Sequence, residues 1–102
     1  MWSKNEKAVA RKAFDKAYER EAKKLVNDVK EVAKSIKTPE EVWKLHDFLE
    51  EKRNEIDDKY DFRYSQLIFV FGRLLREGWL KEADLDGLVE DKITQIKKFL
   101  LL

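Results

Sequence analysis

The sequence predicts an all-α protein. Its single proline and three glycines fall only where a helix would begin or end. Between those points apolar residues recur at steps of three and four, the helical period, and no run alternates with a partner strand elsewhere. A chain of 102 residues makes one domain, 1–102.

The first segment runs from about Lys4 to Ile36. Val9, Ala13, Phe14, Ala17, Tyr18, Leu25, Val26, Val29, Val32, Ala33 and Ile36 keep the period without a breaker. Some thirty residues make a helix roughly 45–50 Å long at ~1.5 Å per residue. A domain this small cannot cover such a helix by itself, so an amphipathic face is expected to find a second chain.

Thr38-Pro39-Glu40-Glu41 ends that segment and opens the next. Thr38 suits an N-cap, Pro39 the first helical position, and Glu41 the far side of a capping box. Acidic residues in that turn also complement the helix dipole. The second helix is expected to reach about Asp58, with Glu40/Lys44 and Glu55/Lys59 as supporting pairs. Val42, Leu45, Leu49, Ile56 and Tyr60 share one stripe and are expected in the core.

A third helix is expected from Asp61 to Glu77, with Tyr64, Leu67, Ile68, Phe71, Leu74 and Leu75 at helical spacing and Gly78 just past its end. Phe69, Val70 and Phe71 cannot all face one core, so Phe69 or Val70 turns outward. Lys81 to Leu85 suits a short helical turn and Asp86-Gly87 a reverse turn. A last helix from about Glu90 would turn Ile93, Ile96, Phe99 and Leu100 inward.

Charge narrows the function. Charged residues make up 42% of the chain, yet net charge is only +1. Such a balance gives no overall field toward nucleic acid or an acidic membrane. The signs are segregated, however. Residues 4–37 hold 11 basic and 6 acidic side chains, whereas residues 38–62 hold 4 and 9. Two such segments attract when packed side by side, within or between chains. Acidic residues interrupt the basic run Lys7, Arg11, Lys12, Lys16, Arg20, Lys23, Lys24, which reads as a solvated face. Cysteine is absent, so thiolate and disulfide chemistry are excluded. Met1-Trp2-Ser3-Lys4 does not read as a signal peptide, and the longest apolar run, Leu67 to Phe71, is too short to span a membrane. The expected location is cytoplasmic.

Trp43 lies about 135° from the centre of the second helix's apolar stripe at ~100° per residue. Its neighbours on that side are Asp47, Glu50 and Asn54. A tryptophan among carboxylates suits a binding surface, where tryptophan is over-represented. Cover by the first helix or by the loop after the third is the alternative. His46 and Arg53, one heptad apart, fall on the shoulder between the stripe and Trp43. His46 is the only histidine. A metal site would need further ligands, and acid–base catalysis a facing partner and a pocket. Asp47 follows directly, but adjacent helix residues do not face each other. A polar contact between helices is the expected role. No phosphate loop or nucleophile elbow occurs, so no catalytic residue, metal or cofactor is assigned.

Trp43-Lys44-Leu45-His46-Asp47-Phe48-Leu49, then Lys52-Arg53, Glu55-Ile56-Asp57, Lys59-Tyr60-Asp61 and Ile68-Phe69-Val70-Phe71 together form a pattern. It resembles the cyanobacterial fluorescence recovery protein family, most specifically from about Ala13 to Gly78. Lys16-Ala17-Tyr18 and Arg20-Glu21 fit as well. Asp58 departs from the pattern, standing where the cyanobacterial form would carry glycine.

The resemblance implies an all-helical homodimer without enzymatic activity. Residues 1–60 would supply the dimerisation helices, and residues 61–102 a small helical head. The implied partner is the C-terminal domain of the activated, red orange carotenoid protein. Binding would speed its return to the orange state and its release from the phycobilisome, at the cytoplasmic face of the thylakoid. Trp43, His46, Asp47, Glu50 and Arg53 would form the partner and dimer surface, with Phe69 on the head. A family relative serving a different protein partner is the second reading.

Overall fold

The computed structural model describes residues 1–102. Four α-helices follow in order: α1 Lys4–Ser35, α2 Pro39–Lys59, α3 Leu67–Glu77 and α4 Glu90–Lys97. Two short 3-10 turns, Glu82–Leu85 and Lys98–Leu101, complete the chain.

Helix α1 starts at a capping box. Ser3 Oγ accepts the Glu6 N–H at 3.1 Å while the Ser3 N–H donates to Glu6 Oε1, also at 3.1 Å. At the next helix start Thr38 Oγ1 accepts the Glu41 N–H at 3.3 Å, as expected. The expected box is only half formed, because the Glu41 carboxylate turns to the Thr38 hydroxyl, 3.2 Å away, instead of its backbone.

The core gathers at one end of the molecule. The first half of α1 supplies Ala10, Ala13, Phe14 and Ala17, and α3 supplies Leu67, Val70, Phe71 and Leu74. Leu80, Leu85, Leu88 and Ile96 close it. Small side chains on α1 let the head segments approach its backbone. The second half of α1 and most of the expected α2 stripe lie outside this core; of that stripe only Tyr60, just past the helix end, packs against it. Val26, Val32 and Val42 are exposed, and Leu45, Leu49 and Ile56 are only partly covered. The α2 stripe is therefore not core within one chain; its sole buried residue is Lys59. The expected length of α1 explains this. A 32-residue rod spans most of the 52 Å long axis, and the head covers only one end.

Helix α3 begins at Leu67 and not at Asp61. Tyr60, Phe62 and Tyr64 alternate along a non-helical stretch instead of following the helical period. Phe62 and Tyr60 both meet the Phe14 ring edge-on, at 5.0 and 5.4 Å between centroids, and Tyr64 lies 5.9 Å from the Trp2 ring. Packing Tyr60 and Phe62 on Phe14 of α1, and Tyr64 on Trp2, outweighs one more turn of helix. Tyr64 thus leaves the expected α3 stripe.

Gly78 ends α3 with φ +88°, a conformation that costs other residues a Cβ clash. There the Trp79 N–H reaches Leu74 O at 2.9 Å and the Gly78 N–H reaches Leu75 O at 3.2 Å, a Schellman closure. Gly72 lies inside α3 and not at a helix boundary as expected, and Phe99 packs so close that a Cβ there would clash with its ring. That notch seats Phe99, whereas Leu100, expected inward, is exposed. The chain passes into a 3-10 turn at Lys98, which shifts the register by which Leu100 would have faced the core.

Charged contacts fasten the head. Arg20 donates to Trp79 O and to Asp84 Oδ2, both at 2.8 Å. Glu6 accepts from the Lys92 ammonium at 2.8 Å and from the Val89 N–H at 3.0 Å. These bonds, led by that from Lys92, hold the Glu6 carboxyl down at about 2, against an ordinary 4.5. A depressed carboxyl contributes stability that is present above the unfolded value and lost as pH falls through the folded one. Melting temperature is therefore expected to drop between pH 4.5 and about 2. In Glu6→Gln it should start lower at neutral pH and fall less steeply, which circular-dichroism melts across that window will show. Asp84 and Glu77 are also held below the usual range, so some slope will persist.

Candidate functional site

Helix α2 carries the candidate residues, and its heptad spacing separates them into faces. Leu45, Lys52 and Lys59 recur at sevens and turn toward α1, where Lys52 and Lys59 meet Glu21 at 3.6 and 2.7 Å. Val42, Leu49 and Ile56 form the next stripe, with no buried neighbour surface. His46 and Arg53 adjoin it, and Trp43 and Glu50 follow.

Trp43 is 65% exposed, so neither α1 nor the segment after α3 covers it. His46, Asp47, Glu50 and Arg53 are exposed as well. The Trp43 and His46 rings meet edge-on at 6.3 Å. His46 Nδ1 lies 3.3 Å from Asp47 Oδ1, which corrects the expectation that these neighbours stand apart. Their Cβ vectors diverge, yet the two side chains are long enough to bring their tips together. Trp43 also joins Ile36, Pro39 and Val42 around a hollow at the α1–α2 elbow. The hollow is a product of the Pro39 helix start, which lets α2 fold back beside α1.

One ligand atom each from His46, Asp47 and Glu50 lies within 4.8 Å of the others. All three side chains are exposed, and such trios are frequent on charged helices. The arrangement suits recognition of another protein: a large ring to bury, a hydrogen-bonding imidazole, and carboxylates beside a guanidinium.

Phe69 resolves the open choice on α3. It points outward at 57% exposure, while Val70 is buried. Its ring leans edge-on against Phe99 at 5.8 Å. With Asp58, Asp61 and Arg73 it borders a surface hollow where α2 hands over to α3. Phe69 thus belongs to a different helix from the Trp43 group.

Sequence reasoning missed the buried charges Glu21 and Lys59. A signal was present for Glu21. Glu6, Ala10, Ala13, Ala17 and Glu21 follow one inward stripe, so carboxylates stand at both ends of a row of small residues.

The fold and this face define a small all-helical protein with an aromatic and charged surface on one helix of an elongated body. The family model for the photoprotection regulator fluorescence recovery protein matches residues 2–100, and the chain belongs to that family. The fluorescence recovery protein of Synechocystis sp. PCC 6803 is 47% identical over 96 residues, covering 94% of this chain and 88% of the relative. The solved structure of the Fremyella diplosiphon fluorescence recovery protein is 48% identical and superposes with a TM-score of 0.96 over 100% of both chains. That of the Synechocystis protein gives 45% identity and a TM-score of 0.95, again over 100% of both. The family regulates photoprotection, and no helix of this chain is long and apolar enough to cross a membrane.

Proposed function

We propose that the chain acts as a homodimeric, non-enzymatic regulator of the orange carotenoid protein. It binds the C-terminal domain of the activated red state and accelerates return to orange and release from the phycobilisome, at the cytoplasmic face of the thylakoid. The observation that carries this reading is the exposed α2 face, Trp43 with His46, Asp47, Glu50 and Arg53, in a member of a photoprotection-regulator family.

Dimerisation is assigned to the helices within about residues 1–60. Its support is the uncovered apolar surface on Val26, Val32, Val42, Leu49 and Ile56. Residues 61–102 form the head, seated on the first half of α1, and Phe69 is its contact residue. Mechanism follows from linkage. A binder speeds relaxation only by favouring conformations on the way to domain closure over the open red state.

The test is red-to-orange relaxation of the carotenoid protein in the dark, with and without the chain. Acceleration at stoichiometric dimer is expected, and an unchanged rate would reject the proposal. Trp43→Ala should leave folding intact, because the ring is mostly solvent-exposed, and should weaken capture of the C-terminal domain about thirtyfold or more, ~2 kcal/mol or above for a hot-spot tryptophan. Calorimetry against that domain checks this. Equal affinity of the variant would move the contact surface elsewhere.

A further inference from the structure

Where α1, α2 and α3 meet, six charges close into a neutral cluster. The Lys59 ammonium lies 2.7 Å from Glu21 of α1, 2.8 Å from Glu77 of α3 and 3.7 Å from Glu55 of its own helix. Lys52 stands 3.6 Å from Glu21. Arg73 pairs with Glu77 at 2.8 Å and approaches Glu55 at 3.7 Å. The Tyr60 hydroxyl donates to Glu21 at 2.8 Å. Three carboxylates thus face three cations, and no buried side-chain polar atom is left without a partner.

Beside the partial cover of Leu45 near the end of α1, this cluster ties α2 to the rest of its chain. The one buried residue of α2 is Lys59, 3% exposed, and every apolar side chain of α2 keeps some contact with solvent. Helix α3, by contrast, is held by Leu67, Val70, Phe71 and Leu74 in the core. The two attachments differ in kind. Apolar packing is non-directional, whereas charge-assisted hydrogen bonds fix both distance and angle. Buried ion pairs add little net stability once desolvation is counted, so a cluster like this one contributes mainly to geometry.

We infer that Lys59 is a positioning residue, setting the direction of α2 against α3 and hence the placement of the Trp43–Arg53 face relative to Phe69. The role in recognition rests on the function proposed above; the role in geometry does not. Burial disfavours the Lys59 charge, but the bonds from Glu21 and Glu77 outweigh it and hold the group above the usual lysine value, so Lys59 stays charged at neutral pH.

The chain has no cysteine, so two introduced ones give unique labelling sites. Spin labels at Asn54→Cys on α2 and Gln95→Cys on α4 report the angle between the elements, read by pulsed dipolar spectroscopy with excess unlabelled chain to isolate distances within one chain. The test variant is Glu21→Gln/Lys59→Met/Glu77→Gln, which removes the cluster's centre without stranding a buried charge. It should keep its helicity and oligomeric mass while the distance distribution broadens. Acceleration of red-to-orange relaxation should fall roughly tenfold, equivalent to ~1.4 kcal/mol of lost fit. A distribution as narrow as wild type would overturn the positioning role. Broadening with wild-type acceleration would overturn its importance for the partner. If the unsubstituted chain accelerates nothing, the functional reading falls, and the distance measurement still decides the geometry. Should the triple variant not fold, Glu77→Gln alone, which keeps Lys59 on Glu21, is read in the same way.

Discussion

Leu49→Glu is expected to turn the proposed dimer into monomers. Leu49 sits at the middle of the Val42–Leu49–Ile56 stripe, which α1 and the head leave exposed or only partly covered. In a two-fold interface every substitution is introduced twice. An uncompensated carboxylate facing apolar surface costs several kcal/mol. Taking only ~2 kcal/mol for each copy gives about 4 kcal/mol, or roughly a thousandfold in dissociation constant. The same carboxylate costs one isolated chain little, because Leu49 is only partly covered there. Light scattering across a dilution series should give monomer mass for the variant at concentrations where wild type is dimeric, with an unchanged circular-dichroism spectrum. A variant that stays dimeric would remove the α2 stripe from the interface.

The sequence made the long helices legible because their determinants are local. Thr38-Pro39 fixes where α2 begins, and Gly78 fixes where α3 ends, each through backbone geometry that needs no distant partner. Sequence reasoning did not assign the Ser3…Glu6 capping box, although it carries the same kind of local signature. The α3 start was not legible in this way. Tyr64 fits the helical period of Leu67 and Phe71, and only the docking of Tyr60 and Phe62 on Phe14 and of Tyr64 on Trp2 shows that the stretch is not helical. Non-local packing overrode the periodic pattern there.

The candidate site divides in the same way. The helical wheel set Asp47, Glu50 and Asn54 beside Trp43 and put His46 and Arg53 on the adjoining shoulder; the resemblance joined Trp43, His46, Asp47, Glu50 and Arg53 into one surface, and all five are exposed. Whether Phe69 or Val70 turned outward depended on where α4 packs, which spacing does not encode. Lys59 was read as half of an i,i+4 pair with Glu55, which is present at 3.7 Å. Its shorter bonds go to Glu21 and Glu77, 38 and 18 positions away, and such partners emerge only when three helices converge. The amphipathic stripe of α2 was expected to be core because amphipathic faces usually are. Its exposure in one chain turns that expectation into an argument about a second chain.

Two phenylalanines on α3 separate stability from recognition. Phe71 is fully buried in the core, and Phe71→Ala should destabilise the fold by about 3–5 kcal/mol through lost transfer energy and the cavity left behind. For a domain near 100 residues, ~1 kcal/mol moves the melting temperature by about 4–8 °C, so a drop of at least ~12 °C is expected. Phe69 lies only two positions away on the same helix but faces solvent, its main contact being the edge of Phe99. Phe69→Ala should cost no more than ~1 kcal/mol, the usual worth of one aromatic pair. Its effect is expected on the carotenoid protein instead, as weaker acceleration of relaxation at unchanged folded fraction. Urea titration of both variants, followed by the dark-relaxation assay under conditions where each remains folded, distinguishes the two roles. If Phe69→Ala destabilised as much as Phe71→Ala, Phe69 would be a packing residue and the contact assigned to the head would be lost.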